Sequence, residues 1–163
     1  MRSVIAVYVE NKYGVLTRVS GMFMRKGFNI DSLTVGETDD PAFSRITITL
    51  NGDDYAREQL INQLKKLHNV KGVKLLASDS SVERELMLIK VKNTPHNRAE
   101  IMAAVEIYRA KIIDYTTDAM CVEVTGEPSK ISAFLDVMRP LGIIEMCRTG
   151  VVALERGASI MEK

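Results

Sequence analysis

The apolar pattern of this chain runs through one six-part order twice, and that repetition limits the folds open to it more than any single motif. A strand-like run, "SVIAVYVE" (residues 3–10), precedes a helical stripe over 15–26. Two strand-like runs follow at 29–36 and 44–50, then a second helical stripe after residue 53 and a closing strand at 70–77. In the first run Ile5, Val7 and Val9 share one face and Val4, Ala6 and Tyr8 the other. Both faces are apolar, so both are expected to be covered, one by helices and the other by a partner. The first helix is read from Val15, Leu16, Val19, Met22 and Phe23 at helical spacing. Arg25 and Lys26 suit the negative end of its dipole and Gly27 supplies a left-handed stop, whereas Met24 falls off the stripe. "SRITITL" alternates with Ile46, Ile48 and Leu50 inward, and Asp53 or Asp54 caps a helix striped by Leu60, Ile61, Leu64 and Leu67.

After a polar joint, "SDSSVE", the order starts again. "RELMLIKV" (84–91) is a strand; Asn97 is expected to cap the next helix, with Glu100 at capping-box spacing and a stripe of Ile101, Ala104, Val105 and Tyr108. "KIIDYT" and "AMCVEVTG" are strands around a turn at Thr117 and Asp118. Pro128 opens a helix striped by Ile131, Phe134, Leu135 and Met138, and "GIIEMCRTGVVAL" is expected to close the repeat as one long, bent strand. The expected fold is α+β: two ferredoxin-like βαββαβ units, over 1–78 and 82–163, each an antiparallel four-stranded sheet with two helices on one face. A unit of about 75 residues is marginal alone, and its open sheet face is a natural place to dimerise.

Twenty-two basic and 21 acidic residues among 163 give a net charge of +1, hence no global attraction to nucleic acid or to anionic membranes. No apolar run is long enough to span a bilayer. The N-terminus lacks a small-residue cleavage pattern and alternates like a strand, so it reads as mature, cytoplasmic protein. Cys121 and Cys147 form no CxxC and are expected as buried free thiols. His68 and His96 stand apart from any cysteine cluster or carboxylate pair, so no metal is expected. There is no GxSxG, P-loop or GxGxxG, and residues 38–40 ("TDD") read as a solvated turn. An RNA-recognition module shares this strand order, but its third strand carries base-stacking aromatics and "SRITITL" has none.

One stretch stands out chemically. "NKYGVLTRVSGMFMRKGFNIDSL" (11–33) places Gly14 at the start of a helix, an asparagine before it and another, Asn29, beyond its end. Gly14 leaves no side chain over the turn, and the amides of Gly14, Val15 and Leu16 lie where helix N–H groups lack internal partners, a setting that attracts a carboxylate. Asn11 offers both a donor and an acceptor. A helix of this length spans roughly 18 Å, so one chain is expected to keep Asn11 and Asn29 apart, and a two-fold dimer would bring them together. An amino acid fits these groups: its carboxylate on the amides, its ammonium on carbonyls or on Asn29, a short aliphatic side chain on Leu16 or Ile30. On the residues alone, ordinary turn and cap roles for Gly14, Asn11 and Asn29 remain the simpler reading.

The stretch "NKYGVLTRVSGMFMRKGFNIDSLTVG" resembles the N-terminal ACT domain of the regulatory small subunit of acetohydroxyacid synthase, also called acetolactate synthase. The likeness continues through "DDPAFSRITI", "ERELMLIKV", "IIDYT" and "RTGVVALERG", with Phe28 where a Tyr is also common. The resemblance implies an N-terminal ACT domain that binds effector and dimerises, and a C-terminal ACT-like regulatory domain. It implies a homodimer, not itself an enzyme, that activates a catalytic subunit and confers feedback inhibition by valine or another branched-chain amino acid. The partner would carry thiamine diphosphate, Mg and FAD; this chain would carry no cofactor. The effector residues it implies are Asn11, Gly14, Val15, Leu16, Asn29 and Ile30. Two other readings stay open on the residues: a free-standing amino-acid sensor acting on another enzyme or on transcription, and a small ferredoxin-like enzyme.

Overall fold

The structure, a computed structural model, describes residues 1–161. It contains two compact units, Met1–Val82 joined by the chain from Val151 onward, and Glu83–Gly150. The first comprises β1 (Arg2–Glu10), α1 (Val15–Lys26), β2 (Ile30–Glu37), β3 (Phe43–Asn51), α2 (Asp54–Lys65) and β4 (Val70–Leu76). Its antiparallel sheet has the order β2-β3-β1-β4, so β1 and β3 are central and β2 and β4 are edges. The second has β5 (Ser81–Lys92), α3 (Arg98–Ile107), β6 (Lys111–Tyr115), β7 (Ala119–Gly126), α4 (Pro128–Gly142) and β8 (Ile143–Arg148), with strands in the order β6-β7-β5-β8. This is the α+β class with two ferredoxin-like repeats. Among the described residues no helix is long and apolar enough to cross a membrane.

The sequence periods account for the layers. Ile5, Val7 and Val9 of β1 meet Val19, Met22 and Phe23 of α1 and Leu60 and Leu64 of α2 in one buried cluster. Met87, Ile89 and Val91 of β5 meet Ile101, Phe134 and Met138 in the other, where Tyr108 stands edge-on to Phe134 at 5.3 Å. Glycines bound α1 on both sides, Gly14 at φ 82° and Gly27 at φ 67°. The N–H of Gly27 and that of Phe28 reach back to Met24 and Phe23 carbonyls, which closes the last turn. Asp53 caps α2, accepting from the Ala56 N–H at 2.8 Å.

Four expectations are corrected. Asn97 does not cap α3 with its side chain. Its Oδ1 accepts from the Thr94 N–H at 2.9 Å, and its Nδ2 donates to the carbonyls of Lys92 and Leu141 at 2.9 and 2.8 Å. The Thr94 N–H takes the oxygen that would have capped the helix, and the two carbonyls hold the amide nitrogen in that orientation. Leu16 lies off the core, 45% exposed, because the buried arc of α1 is confined to Val15, Val19, Met22 and Phe23. Neither cysteine is buried: Cys121 is half-buried and Cys147 exposed, since both stand on the helix-free face of the second sheet.

The fourth correction concerns the end of the chain. The expected long strand breaks at Gly150, which takes φ 82°, into β8 and a separate β9 (Val152–Glu155). The compact second unit is Glu83–Gly150, and the tail returns to the first. There Val151 and Ala153 bury Val4, Ala6 and Leu76 on the face of the first sheet opposite its helices. That face, reserved by the sequence for a partner, is covered in part by the chain's own end. Arg45 Nη2 donates to the Ala153 carbonyl at 2.8 Å, and Lys74 pairs with Glu155 at 2.6 Å. The Lys74 hydrogen bond, with one from Ser159, holds the Glu155 carboxyl below its usual range. Burial lowers the Arg45 guanidinium from its ordinary value, against the raising influence of Glu155.

Candidate functional site

The turn between β1 and α1 is an open helix start. Gly14 occupies the left-handed region, no side chain caps the helix, and a Cβ placed on Gly14 would meet nothing within 4 Å. The Val15 N–H donates to the Lys12 carbonyl at 3.3 Å, and that of Arg18 to the Gly14 carbonyl at 3.1 Å. Between them lie the amides of Leu16 and Thr17, in the first turn, where the helix itself supplies no acceptor. The Leu16 side chain is exposed beside this turn.

Asn11 is tied to the β2–β3 hairpin. Its Nδ2 donates to Glu37 Oε1 at 3.1 Å and to the Pro41 carbonyl at 2.9 Å, while its backbone N–H donates to the Ala42 carbonyl at 2.8 Å. Both amide hydrogens are thus engaged within the chain. The group left to a ligand is an acceptor, which suits an ammonium better than a carboxylate.

Asn29 and Ile30 are elsewhere. Asn29 is exposed immediately before β2; Ile30 is half-buried, opposite Leu50, which itself lies opposite Ser3 at the beginning of β1. Asn11 is bonded to Glu37, at the far end of β2. Seven residues of strand separate Ile30 from Glu37, about 23 Å at the usual rise. One chain brings Asn11, Gly14, Val15 and Leu16 together and leaves Asn29 and Ile30 at the opposite end of the sheet.

A charged cluster adjoins the turn. Glu10, the last residue of β1, accepts from Lys12 at 3.0 Å, Lys71 at 3.1 Å and Asn69 Nδ2 at 2.8 Å. Asn69 Oδ1 in turn accepts from Arg18 in α1. Hydrogen bonds from Lys12, Asn69 and Lys71, in that order, pull the Glu10 carboxyl from 4.5 to about 2. A carboxyl lowered on folding stabilises the fold above its ordinary value. That contribution fades as pH falls from about 4.5 toward 2. Nothing in the sequence singled out Glu10, Arg18, Asn69 or Lys71: Glu10 and Asn69 are 59 positions apart, and only antiparallel pairing makes them neighbours.

Comparison with known proteins identifies relatives of the whole chain. Residues 5–71 match the AHAS small subunit-like ACT domain, and residues 84–157 match the family described as the small subunit of acetolactate synthase. A probable acetolactate synthase small subunit of Archaeoglobus fulgidus is 52% identical over 157 residues, 96% of this chain and 98% of that protein. The chain belongs to the acetolactate synthase small-subunit family. The isozyme 3 small subunit of Escherichia coli is 44% identical over 99% of both chains. The crystal structure of the small subunit from Thermotoga maritima superimposes with a TM-score of 0.90 at 39% identity, covering 98% of this chain and 99% of that one. Within this small-subunit family, the turn at Gly14, the two asparagines and Asn69 all fall inside the matched ACT segment.

Proposed function

We propose that this chain is a non-catalytic regulatory subunit that binds a catalytic acetolactate synthase subunit, raises its activity and makes it sensitive to valine or another branched-chain amino acid. The observation that carries the reading is the end-to-end similarity to proteins named acetolactate synthase small subunits, together with a helix start that no side chain caps, beside an exposed leucine. Thiamine diphosphate, Mg and FAD belong to the catalytic partner in this reading.

The proposed effector site uses Asn11, Gly14, Val15, Leu16, Asn29 and Ile30. Gly14 leaves the helix start open and Leu16 offers its amide to the carboxylate, Val15 holds the turn through its N–H on the Lys12 carbonyl, Asn11 offers its side-chain oxygen to the ammonium, and Leu16 offers apolar surface. Asn29 and Ile30 stand about 23 Å away along the same sheet, so they join the site from a second copy. A homodimer with its two chains running oppositely meets this requirement. The effector then works by preferring one state of that dimer, and regulation extends only as far as the preference. One methylene in an apolar pocket discriminates by about 1–3 kcal/mol, which sets the contrast among valine, leucine and isoleucine.

The test is reconstitution with a catalytic subunit. Acetolactate formation is expected to rise on adding this chain and to fall again with valine, leucine or isoleucine. A catalytic subunit neither stimulated nor made sensitive to any of the three would overturn the proposal.

A further inference from the structure

Asn69 is a polar side chain only 6% exposed, and it makes more use of its position than a turn residue requires. Its Oδ1 accepts from the Arg18 guanidinium, its Nδ2 donates to Glu10 Oε2 at 2.8 Å, and its backbone carbonyl accepts from the Glu10 N–H at 2.9 Å. It thereby links the first turns of α1, the end of β1 and the turn entering β4. An amide can accept from a guanidinium and donate to a carboxylate at once; a carboxylate has no hydrogen to give, and a hydrocarbon does neither.

We infer that Asn69 is a positioning residue of the effector site, acting through Arg18 to fix the helix start at Gly14. The inference rests on the effector reading under Proposed function. Backbone bonds and the buried Val15 side chain hold the turn from within, but no side chain caps it and an added Cβ on Gly14 would meet no neighbour, so the Arg18–Asn69 bond is its side-chain tie to the β4 side of the sheet. Arg18 is the residue whose N–H closes the first turn on the Gly14 carbonyl, so the anchor on its side chain sets where that turn points. The cluster is also electrically suited to an anionic ligand. Glu10 and the Glu37 bonded to Asn11 bring two negative charges, while Arg18, Lys12 and Lys71 bring three positive ones. The surplus sits beside a helix start that already favours anions.

The experiment uses the full chain and calorimetry with valine, leucine and isoleucine on the wild type, Arg18→Ala, Asn69→Leu and the double variant. Each single variant is expected to weaken binding about tenfold, and the double variant to bind like either single. Backbone amide resonances of Gly14, Val15 and Leu16 are expected to move in both singles. A merely structural role for Asn69 predicts losses that multiply in the double variant, and that result overturns the inference. So does wild-type affinity in Arg18→Ala, a substitution at an exposed side chain that leaves the core intact even if Asn69→Leu fails to fold. A wild type that binds none of the three amino acids overturns the effector reading itself, a result separable from normal binding in every variant.

Discussion

Gly14 shows what one residue can and cannot announce. Its place after an asparagine and before an apolar stripe marked a turn, and the observed φ of 82° is the backbone that only glycine adopts freely. Asparagine and aspartate tolerate that region better than other residues, and a side chain here meets no neighbour. The two are nearly the same size and differ by a charge. Gly14→Asn is therefore expected to keep valine inhibition of the reconstituted enzyme within a few-fold, about 1 kcal/mol. Gly14→Asp is expected to abolish it while leaving activation intact. A fully valine-sensitive aspartate variant moves the effector pocket elsewhere. Asn11 was legible only by half: its residue type promised a donor and an acceptor, but the hairpin bearing Glu37 and Pro41 takes both donors. Asn69 was not legible at all, because its partners come from strands and helices distant in sequence.

Among the elements, α1 was readable to its ends, since a glycine stands just outside each one and the apolar stripe between them is clear. The start of α3 was not, because the Asn97 side chain binds the end of α4 instead of its own helix. The least readable element was the tail. Its residues alternate as a continuation of β8 would, and only the left-handed turn at Gly150 redirects them to the first sheet. Removing the chain after Gly150 uncovers Val4, Ala6 and Leu76 and leaves Arg45 without the Ala153 carbonyl. A loss of about 2–4 kcal/mol is expected from this exposure, read as a lower melting temperature together with new binding of a hydrophobic dye. An unchanged melt without dye binding contradicts the assigned cover.

At the scale of the molecule, the sheet register governs the chemistry of the two cysteines. Cys121 lies opposite Lys90 on one side of β5, and Cys147 opposite Leu88 on the other. Two strand spacings and a two-residue offset put their Cα atoms about 12 Å apart, beyond disulfide reach at about 7 Å. Mild oxidation of the whole chain is expected to yield no internally bridged monomer; any disulfide links separate chains through the exposed Cys147. A monomer lighter by two hydrogens under denaturing mass spectrometry contradicts that register. The sequence by itself determined the doubled strand–helix order, both cores and the glycine turn, because periodicity and backbone freedom are local properties carried by neighbouring residues. Tertiary structure alone decided which chain end covers the first sheet, how Asn11 is engaged, and that Asn69 joins Glu10 to Arg18. Those outcomes depend on which distant groups the antiparallel register brings within hydrogen-bond length, and no local pattern encodes that choice.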